Sequence, residues 1–559
     1  MFLVRSSLCL RWQFRRPCPL SKLVRPLFME TLPEKTSSPR SMGKRPQESC
    51  VLDPSAAFKR PRLSGEAEQG LTPTSALLED VSPVSVRPQS SGTSGKQKVK
   101  GKAGRRGTRK EAESMNSDEP KAPRLPKRMC ALLIGFRGTD YQGMQYQVDP
   151  NVRTIEGTLF NALVRAGAVS KDNADDPMKV SIRRAARTDA GVHAAGNVVA
   201  MKLINNVPGV PDLVARINEE LPPEIRLWSM LRVNNSFVAR SLCDSRKYTY
   251  YFPSYALIPP KPGSGLHEAL QQNGTELPSH LFWSASDSEL DPESELRRKR
   301  AYRMPPDALK SLRTMARKFL GTHNFHNFTV KRDFQDRSCS RHMKDISVSD
   351  PVVYGNTEWV SVLFHGQSFM LHQRKMMTAL ILACRTRSPP ELIDELYGPR
   401  NVFIPKMPAL GLLLEYPIFD VYNERAAVGN EKIEPSDPQY RPAITFENHQ
   451  EQIDKFKNEH IYPSMRGIED SEGVFDAWIR SIDAYSGDDL LWLNSKGVIP
   501  AAAVIQRGVR RPNRFIERRY FDATGRAIAA AGESVAEEEE EEEGEEEVLD
   551  KAKLADMEG

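Results

Sequence analysis

The residues best suited to chemistry lie in one short segment, in which Asp189 stands between Arg187 and Gly191. A guanidinium beside a carboxylate keeps it ionised and aims it, and a glycine gives the backbone freedom to turn. No second carboxylate lies nearby in the sequence to complete an acid and base pair of the glycosidase kind. Asp189 would therefore act as a nucleophile or base on a substrate that supplies the rest. The alternative is a structural Arg–Asp pair that caps a turn.

The elements that must position this segment show strand and helix periods. Short apolar runs and alternation at every second residue predict strands, whereas apolar residues at helical spacing predict helices. The predicted strands are 129–136, 197–203, 246–252, 358–365 and 411–416, and the predicted helices are 154–167, 309–320 and 369–385. Two such groups separated by an insertion predict an α+β protein with two similar lobes that face a shared cleft.

Composition divides the chain into six regions. Residues 30 to about 125 are dominated by Ser, Pro, Gly and charge, so they cannot bury enough apolar surface to fold. The predicted regions are a mitochondrial presequence (1–28), a disordered basic region (29–125), an N-terminal catalytic lobe (126–255), an insertion (256–303), a C-terminal catalytic lobe with an extension (304–466) and a weakly structured region with an acidic tail (467–559).

The ends of the chain carry opposite charges. Residues 531–559 hold 14 acidic and 2 basic side chains, whereas residues 1–120 hold 22 basic and 12 acidic ones. Since the whole chain has a net charge of +6, about +8 remains on the middle, which suits a polyanionic partner or simply a well-solvated surface. No apolar stretch is long enough to span a membrane, and the seven cysteines form no CxxC pair, which favours a reducing compartment.

The first residues predict targeting. Six basic side chains and no acidic one precede Glu30, which is typical of a mitochondrial presequence, although an untargeted tail is the alternative. Starts at Met29 or Met42 would remove this segment and leave the basic runs at 59–62 and 96–110, which suit nuclear import or loose RNA contact. We therefore expect a mitochondrial and a nuclear form.

Several separated motifs resemble one known family. Residues 186–194, Ala-Arg-Thr-Asp-Ala-Gly-Val-His-Ala, resemble the catalytic loop of the TruA family of tRNA pseudouridine synthases. The motifs that follow the family's order are 141–145, 246–250, 366–373 and 411–412, and those that resemble its eukaryotic tRNA pseudouridine synthase 1 branch are Met144, 321–329 and 460–463. The resemblance runs from about 128 to 465 and implies a TruA-type fold, in which two ferredoxin-like lobes share an extended mixed sheet between disordered tails.

The resemblance implies a role for each matching residue. Asp189 would be the catalytic aspartate and Arg187 the group that orients and ionises it. Tyr248 would stack on the extruded uracil, because an aromatic face offsets part of the lost base stacking, although Tyr248 could instead be a core residue. Leu412 would form the apolar wall beneath the base. Arg374 resembles the second arginine of the family's site, near the aspartate and the target phosphate.

One motif departs from the family. The family pattern reads His-Gln-Ile-Arg-Lys-Met, whereas residues 372–376 read His-Gln-Arg-Lys-Met and are one residue short. Inside a helix, a missing residue rotates everything after it by about 100°. Arg374 would then be misplaced, unless the start of the helix adjusts or the sequence derives from a mis-spliced gene, and we favour one of the latter two explanations.

His323 and His326 are spaced as neighbours on a helix would be and could serve as metal ligands. Asn, Phe and Thr surround them without a Cys or carboxylate ligand, so packing is favoured over a metal site, and a metal hydrolase is the corresponding rival function. The resemblance implies that no cofactor is required. Zinc is attributed to this branch, but no ligand set can be identified in the sequence.

The sequence therefore predicts an RNA pseudouridine synthase that acts on tRNA, and the resemblance implies the anticodon-stem region and precursor tRNA as its targets. The resemblance also implies U2 small nuclear RNA and mRNA as further substrates, and a monomer as the oligomeric state. The alternative from another class is a catalytically inactive protein that binds or folds tRNA, having lost turnover through the missing residue before Arg374.

Overall fold

The computed structural model describes residues 125–149, 151–277, 279–284, 291–506, 508–511 and 513–517. The predicted presequence, the predicted disordered region up to residue 124 and the acidic tail lie outside these residues. Within them, strands and helices are mixed along the chain, and the strands join into one sheet. The predicted α+β class is therefore confirmed.

The described chain contains ten strands, numbered in chain order. They are β1 (Arg128–Phe136), β2 (Arg183–Arg184), β3 (His193–Leu203), β4 (Ile225–Arg232), β5 (Ser245–Pro253), β6 (Gly321–Asn324), β7 (Ser340–Val348), β8 (Val352–Tyr354), β9 (Thr357–Gly366) and β10 (Leu412–Ile418).

The α-helices of the same residues are numbered likewise. They are α1 (Ile155–Arg165), α2 (Leu213–Glu220), α3 (Gly265–Gln272), α4 (Leu281–Ser284), α5 (Pro292–Arg300), α6 (Pro306–Arg317), α7 (Lys375–Arg385), α8 (Glu391–Glu395), α9 (Asp420–Asn430), α10 (Gln450–Phe456), α11 (Tyr462–Glu472) and α12 (Val474–Ala484).

The sheet has two halves that meet at β10. Its strand order is β4-β1-β3-β10-β5-β9-β7-β6, with β2 added to β3 and β8 added to β9. We call β4, β1, β2 and β3 the N-terminal half, and β5 to β9 the C-terminal half. The pairing of β10 with β3 is parallel, and the other pairings are antiparallel, so the sheet is mixed.

The first helix shows how the sequence determines a local element. Thr154 lies in extended conformation and its side chain accepts a hydrogen bond from the backbone N–H of Gly157, which caps the start of α1. Gly167 has φ +78°, a left-handed conformation that ends the helix without strain. Leu159 and Leu163 are fully buried, and each such side chain contributes about 1.5–3 kcal/mol.

Alternate residues of β1 serve two cores. Cys130 and Leu132 belong to a cluster with the apolar side chains of α1 and α2. Ala131 and Leu133 belong to a second cluster that contains Phe456 of α10. Because side chains alternate between the faces of a strand, helices cover both faces of the sheet in its N-terminal half.

Several elements differ from the sequence predictions. The third strand begins at His193 rather than 197, and α7 begins at Lys375 rather than 369. The insertion contains helices such as α3, which packs against α12, and helical structure continues through α11 and α12 well past residue 466. Trp478 of α12 is almost fully buried, which accounts for the order of this segment. Among the residues described, no helix is long and apolar enough to cross a membrane.

Candidate active site

Strand register brings the predicted site residues together. At its start, β10 runs parallel to β3, with Leu413 opposite His193, and it runs antiparallel to β5, with Leu414 opposite Tyr248. The loop that carries Asp189 ends where β3 begins. The pairing of β10 with both strands therefore places this loop beside Tyr248, although the two are far apart in sequence.

Backbone hydrogen bonds hold the loop around Asp189. The N–H of Val192 donates to the carbonyl of Asp189 at 3.2 Å, and the N–H of Met144 donates to the carbonyl of Thr188 at 3.2 Å. Gly143 has φ +95°, and a side chain there would place its Cβ 3.3 Å from the Thr188 carbonyl oxygen. The 141–145 motif therefore holds the loop that carries Asp189, and this contact favours glycine at position 143.

Two buried polar side chains support the same loop and were not predicted as site residues. Asn197 donates to the carbonyl of Ala186 at 2.9 Å and accepts from its N–H at 3.3 Å. Arg246 donates to the carbonyl of Ala185 at 2.8 Å and to that of Gln367 at 3.1 Å. Buried polar groups in apolar strands are the sequence signal for such residues, because they must find hydrogen-bond partners.

The carboxylate of Asp189 meets two donors from the C-terminal half of the protein. Nη1 of Arg374 lies 3.0 Å from Oδ2 of Asp189, and Nδ1 of His372 lies 3.0 Å from the same oxygen. The Arg374 side chain is only 7% exposed, whereas that of Asp189 is 26% exposed. The carboxylate is therefore open to the pocket while its main cationic partner is sheltered from water, which strengthens their attraction.

These partners keep Asp189 ionised. Burial acts to raise the pKa of Asp189, but the hydrogen bond and charge of His372, with the charges of Arg374 and Lys406, hold it well below its usual range. Tyr248 shows the opposite shift, because burial raises the pKa of its phenol and keeps it neutral. The pocket thus presents one anionic oxygen pair beside an uncharged aromatic ring.

All five residues predicted for the site line one pocket. They are Arg187, Asp189, Tyr248, Arg374 and Leu412. Phe369, which was not predicted, packs edge-on against Tyr248 with ring centroids 4.8 Å apart. The pocket therefore has a charged end at Asp189 and an apolar, aromatic wall, a combination that suits a flat polar ring attached to a sugar. The individual roles assigned to these residues remain predictions.

The shortened motif is accommodated by a tight turn. His372 has φ +57°, and α7 begins only at Lys375, with Arg374 as its preceding residue in helical conformation. The N–H of Lys375 donates to the carbonyl of His372 at 3.0 Å, which closes the turn. With this turn before the helix, Arg374 lies within reach of Asp189.

Tyr248 packs against the apolar cluster that contains Leu132 of β1 and Leu163 of α1. Its strand, β5, pairs with both β10 and β9. The strands that a segment pairs with depend on contacts distant in sequence, which the local pattern does not contain.

The two histidines considered as metal ligands make other contacts. His323 stacks on Tyr397 with ring centroids 4.2 Å apart, and its Nε2 lies 2.7 Å from the Leu320 carbonyl oxygen. His326 is buried and meets the ring of Phe334 edge-on. In the part of the chain that the structure describes, no group of three His, Cys, Asp or Glu side chains could hold a metal ion, so these residues do not fit a zinc site.

Comparisons with known proteins identify relatives of this chain. A sequence profile described as tRNA pseudouridine synthase matches residues 315–420. The tRNA pseudouridine synthase 1 of Candida glabrata is 42% identical over 413 residues, covering 66% of this chain and 72% of that protein. The protein of the same name from Saccharomyces cerevisiae is 43% identical over 413 residues, covering 66% of this chain and 73% of its own length.

A second Saccharomyces cerevisiae protein, the tRNA pseudouridine(27/28) synthase, is 38% identical over 325 residues, which cover 53% of this chain and 85% of that protein. Relatives at these identities that are covered over most of their length share a family. The chain therefore belongs to the TruA family of tRNA pseudouridine synthases, in the branch of tRNA pseudouridine synthase 1.

Proposed function

We propose that this protein isomerises uridine to pseudouridine in tRNA and that Asp189 is its catalytic residue. The observation that carries the proposal is the contact of the Asp189 carboxylate with Arg374, at 3.0 Å, at the charged end of the pocket that Tyr248 also lines. An ionised carboxylate in such a pocket can act directly on the sugar or base of one nucleotide.

The chemistry rearranges atoms that the substrate already contains. The bond between N1 of uracil and C1′ of ribose breaks, the base turns, and a bond forms between C5 and C1′. The hydrogen of C5 is lost to solvent and N1 gains one, so the reaction needs neither cofactor nor energy source. Asp189 would act as nucleophile or base at this nucleotide, and Arg374 would keep it anionic.

The nucleotide must leave the stack before Asp189 can reach it. Unstacking a base costs a few kcal/mol, and stacking on an aromatic ring returns about 1–3 kcal/mol. Tyr248 supplies that ring and Leu412 the apolar wall beneath the base. The edge-on contact with Phe369 would keep the Tyr248 ring from turning as the base enters.

The remaining surface would bind the RNA through its backbone. The net charge of about +8 on residues 121–530 favours phosphate contacts, which position an RNA without reading its sequence. We propose the anticodon-stem region and precursor tRNA as targets, and U2 small nuclear RNA and mRNA as further substrates of the same pocket. We also propose that the protein is a monomer that acts in the nucleus and that a product translated from Met1 acts in mitochondria.

Replacing the carboxylate tests this function. Asp189→Asn should abolish pseudouridine formation in a tRNA transcript, measured by release of tritium from C5 of labelled uridine, while tRNA binding survives. Asp350→Asn is the matched control, because Asp350 also pairs with an arginine, Arg313 at 2.8 Å, but on the surface. The control should retain wild-type turnover, since exposed ion pairs contribute about 1 kcal/mol or less.

The rival function makes a different prediction for the unaltered chain. A catalytically inactive protein that binds or folds tRNA would yield no pseudouridine in any cellular RNA while still binding it. That result, or full activity of Asp189→Asn, would contradict the proposal. A metal hydrolase would lose activity with a chelator, whereas we expect pseudouridine formation to resist chelation.

A further inference from the structure

His372 holds a backbone conformation that its type disfavours. Its φ is +57°, in the left-handed region, where glycine and, to a lesser degree, asparagine are at ease and other residues are uncommon. A glycine would form the same turn without strain. The presence of histidine at this position therefore calls for a contribution from its side chain.

The side chain of His372 makes a contact that accounts for it. Nδ1 of the imidazole lies 3.0 Å from Oδ2 of Asp189, and the ring is 22% exposed at the wall of the pocket. Arg374 reaches the same oxygen from the next turn of the chain, also at 3.0 Å. Two donors that converge on one oxygen fix the rotation of the carboxylate, and Oδ1 is then the oxygen that we expect to meet the sugar.

The turn itself is held by neighbours of His372. The hydroxyl of Thr329 donates to the carbonyl of Leu371 at 2.9 Å. The side-chain oxygen of Gln373 accepts from the N–H of Met370 at 2.7 Å. Because these bonds fix the backbone on both sides of position 372, the imidazole is not needed to form the turn and is free to serve the carboxylate.

We propose that His372 is a positioning residue for the reaction, whose Nδ1–H donates to Oδ2 of Asp189 and sets which oxygen of that carboxylate faces the substrate. The inference rests on the proposed role of Asp189. The left-handed turn at position 372 directs the imidazole at the carboxylate.

Substitutions at position 372 separate the side chain from the backbone. His372→Gly keeps the turn and removes the donor, whereas His372→Asn keeps a side-chain N–H attached at the same atom and tolerates the left-handed conformation. Arg387→Gly is the matched control, because Arg387 is an exposed residue with φ +51° that follows the other end of α7. Each variant is measured in the full chain for kcat, KM with a tRNA transcript, and thermal unfolding.

We expect kcat of His372→Gly to fall about tenfold or more, as loss of a hydrogen bond to a charged group predicts, with KM and the unfolding midpoint unchanged. His372→Asn should restore turnover to within about threefold of wild type, and Arg387→Gly should match wild type. A purely structural role predicts instead that His372→Gly is at least as active and stable as wild type.

The inference is overturned if His372→Gly keeps wild-type kcat, or if His372→Asn is as impaired as His372→Gly. Failure of the proposed function looks different, because it would appear as an inactive wild type or an active Asp189→Asn variant. If the wild type is active and Asp189→Asn is inactive, the proposed function stands. The His372→Gly and His372→Asn variants then decide the inference about His372.

Discussion

The two halves of the sheet contribute to the site in different ways. The N-terminal half supplies the carboxylate, on a loop that backbone hydrogen bonds and Asn197 hold in place. The C-terminal half supplies the aromatic wall and both donors to Asp189, and the donors lie in an irregular segment just before α7. Local contacts fix the position of the loop that carries the carboxylate. The charge state and the direction of the carboxylate depend instead on contacts between the halves.

Removing the cation of the C-terminal half should break this arrangement most severely. Arg374→Met keeps much of the side-chain volume but deletes the charge beside Asp189, and we expect turnover to fall about 100-fold or more. The pKa of Asp189, held low in part by Arg374, should rise toward its usual range.

In the proposed function the reactive form is the carboxylate, so the acid limb of the kcat profile should move to higher pH in Arg374→Met. Steady-state kinetics between about pH 4 and 8 measures both effects. Arg313→Met, which removes an exposed ion-paired arginine, is the control. Wild-type turnover in Arg374→Met would show that the activity of Asp189 does not depend on the cation from the C-terminal half.

The aromatic wall should have the next largest effect. Tyr248→Ala should lower kcat about 10- to 100-fold while tRNA affinity changes little, because the ring contacts the base only after extrusion. Tyr251→Ala is a control from the other face of the same strand, where the Tyr251 hydroxyl lies 3.0 Å from that of Tyr462. Equal losses of affinity and turnover in Tyr248→Ala would argue against a base platform.

Arg246 joins the two halves, so its removal should loosen both together. The side chain is 2% exposed and donates to one carbonyl in the Asp189 loop and one beside the segment before α7. Arg246→Met should lower the free energy of unfolding by about 2–4 kcal/mol, because buried carbonyls lose charged donors. Chemical denaturation measures this, and a change below about 0.5 kcal/mol would show that the link is dispensable.

The pH dependence of stability that arises from Glu469, outside the pocket, should be a smaller effect than those above and should not change turnover. Burial raises the pKa of Glu469 to about 7, while hydrogen bonds from the N–H of Phe475 and the hydroxyl of Tyr255 act to lower it. The folded state therefore holds this proton more tightly than the unfolded state. Stability from this group is complete below about pH 4.5 and is lost as pH rises through about 7, by roughly 3 kcal/mol at most.

Glu469→Gln should flatten that part of the stability profile, measured by denaturation at several pH values, and should retain wild-type turnover. An unchanged profile would show that another group titrates. A loss of turnover would show that the packing of α11 is coupled to the pocket.

The sequence predicts much of the fold and the site, but the part that it predicts is the locally determined part. The strand around Leu133 and the helix after Thr154 are predicted by patterns within a few residues, and the structure agrees. The start of α7 at Lys375 does not follow from a local pattern, because the turn at His372 is directed at a carboxylate 183 residues away in sequence.

The buried polar supports show the same limit. Arg246 and Asn197 lie in strands whose apolar pattern is readable, yet their carbonyl partners come from other segments. Helix geometry alone predicts that Arg374 is misplaced, because a missing residue rotates the rest of a helix by about 100°. In the structure Arg374 immediately precedes α7 and contacts Asp189, which the sequence pattern alone does not reveal.

The most direct test is an experimental structure of Asp189→Asn bound to a tRNA substrate. We predict that one uridine is extruded between Tyr248 and Leu412, with its C1′ within about 3.5 Å of the side chain at position 189 and with Arg374 still beside that side chain. A uridine that remains stacked in its RNA helix, or a side chain at position 189 that faces away from the bound RNA, would contradict the account.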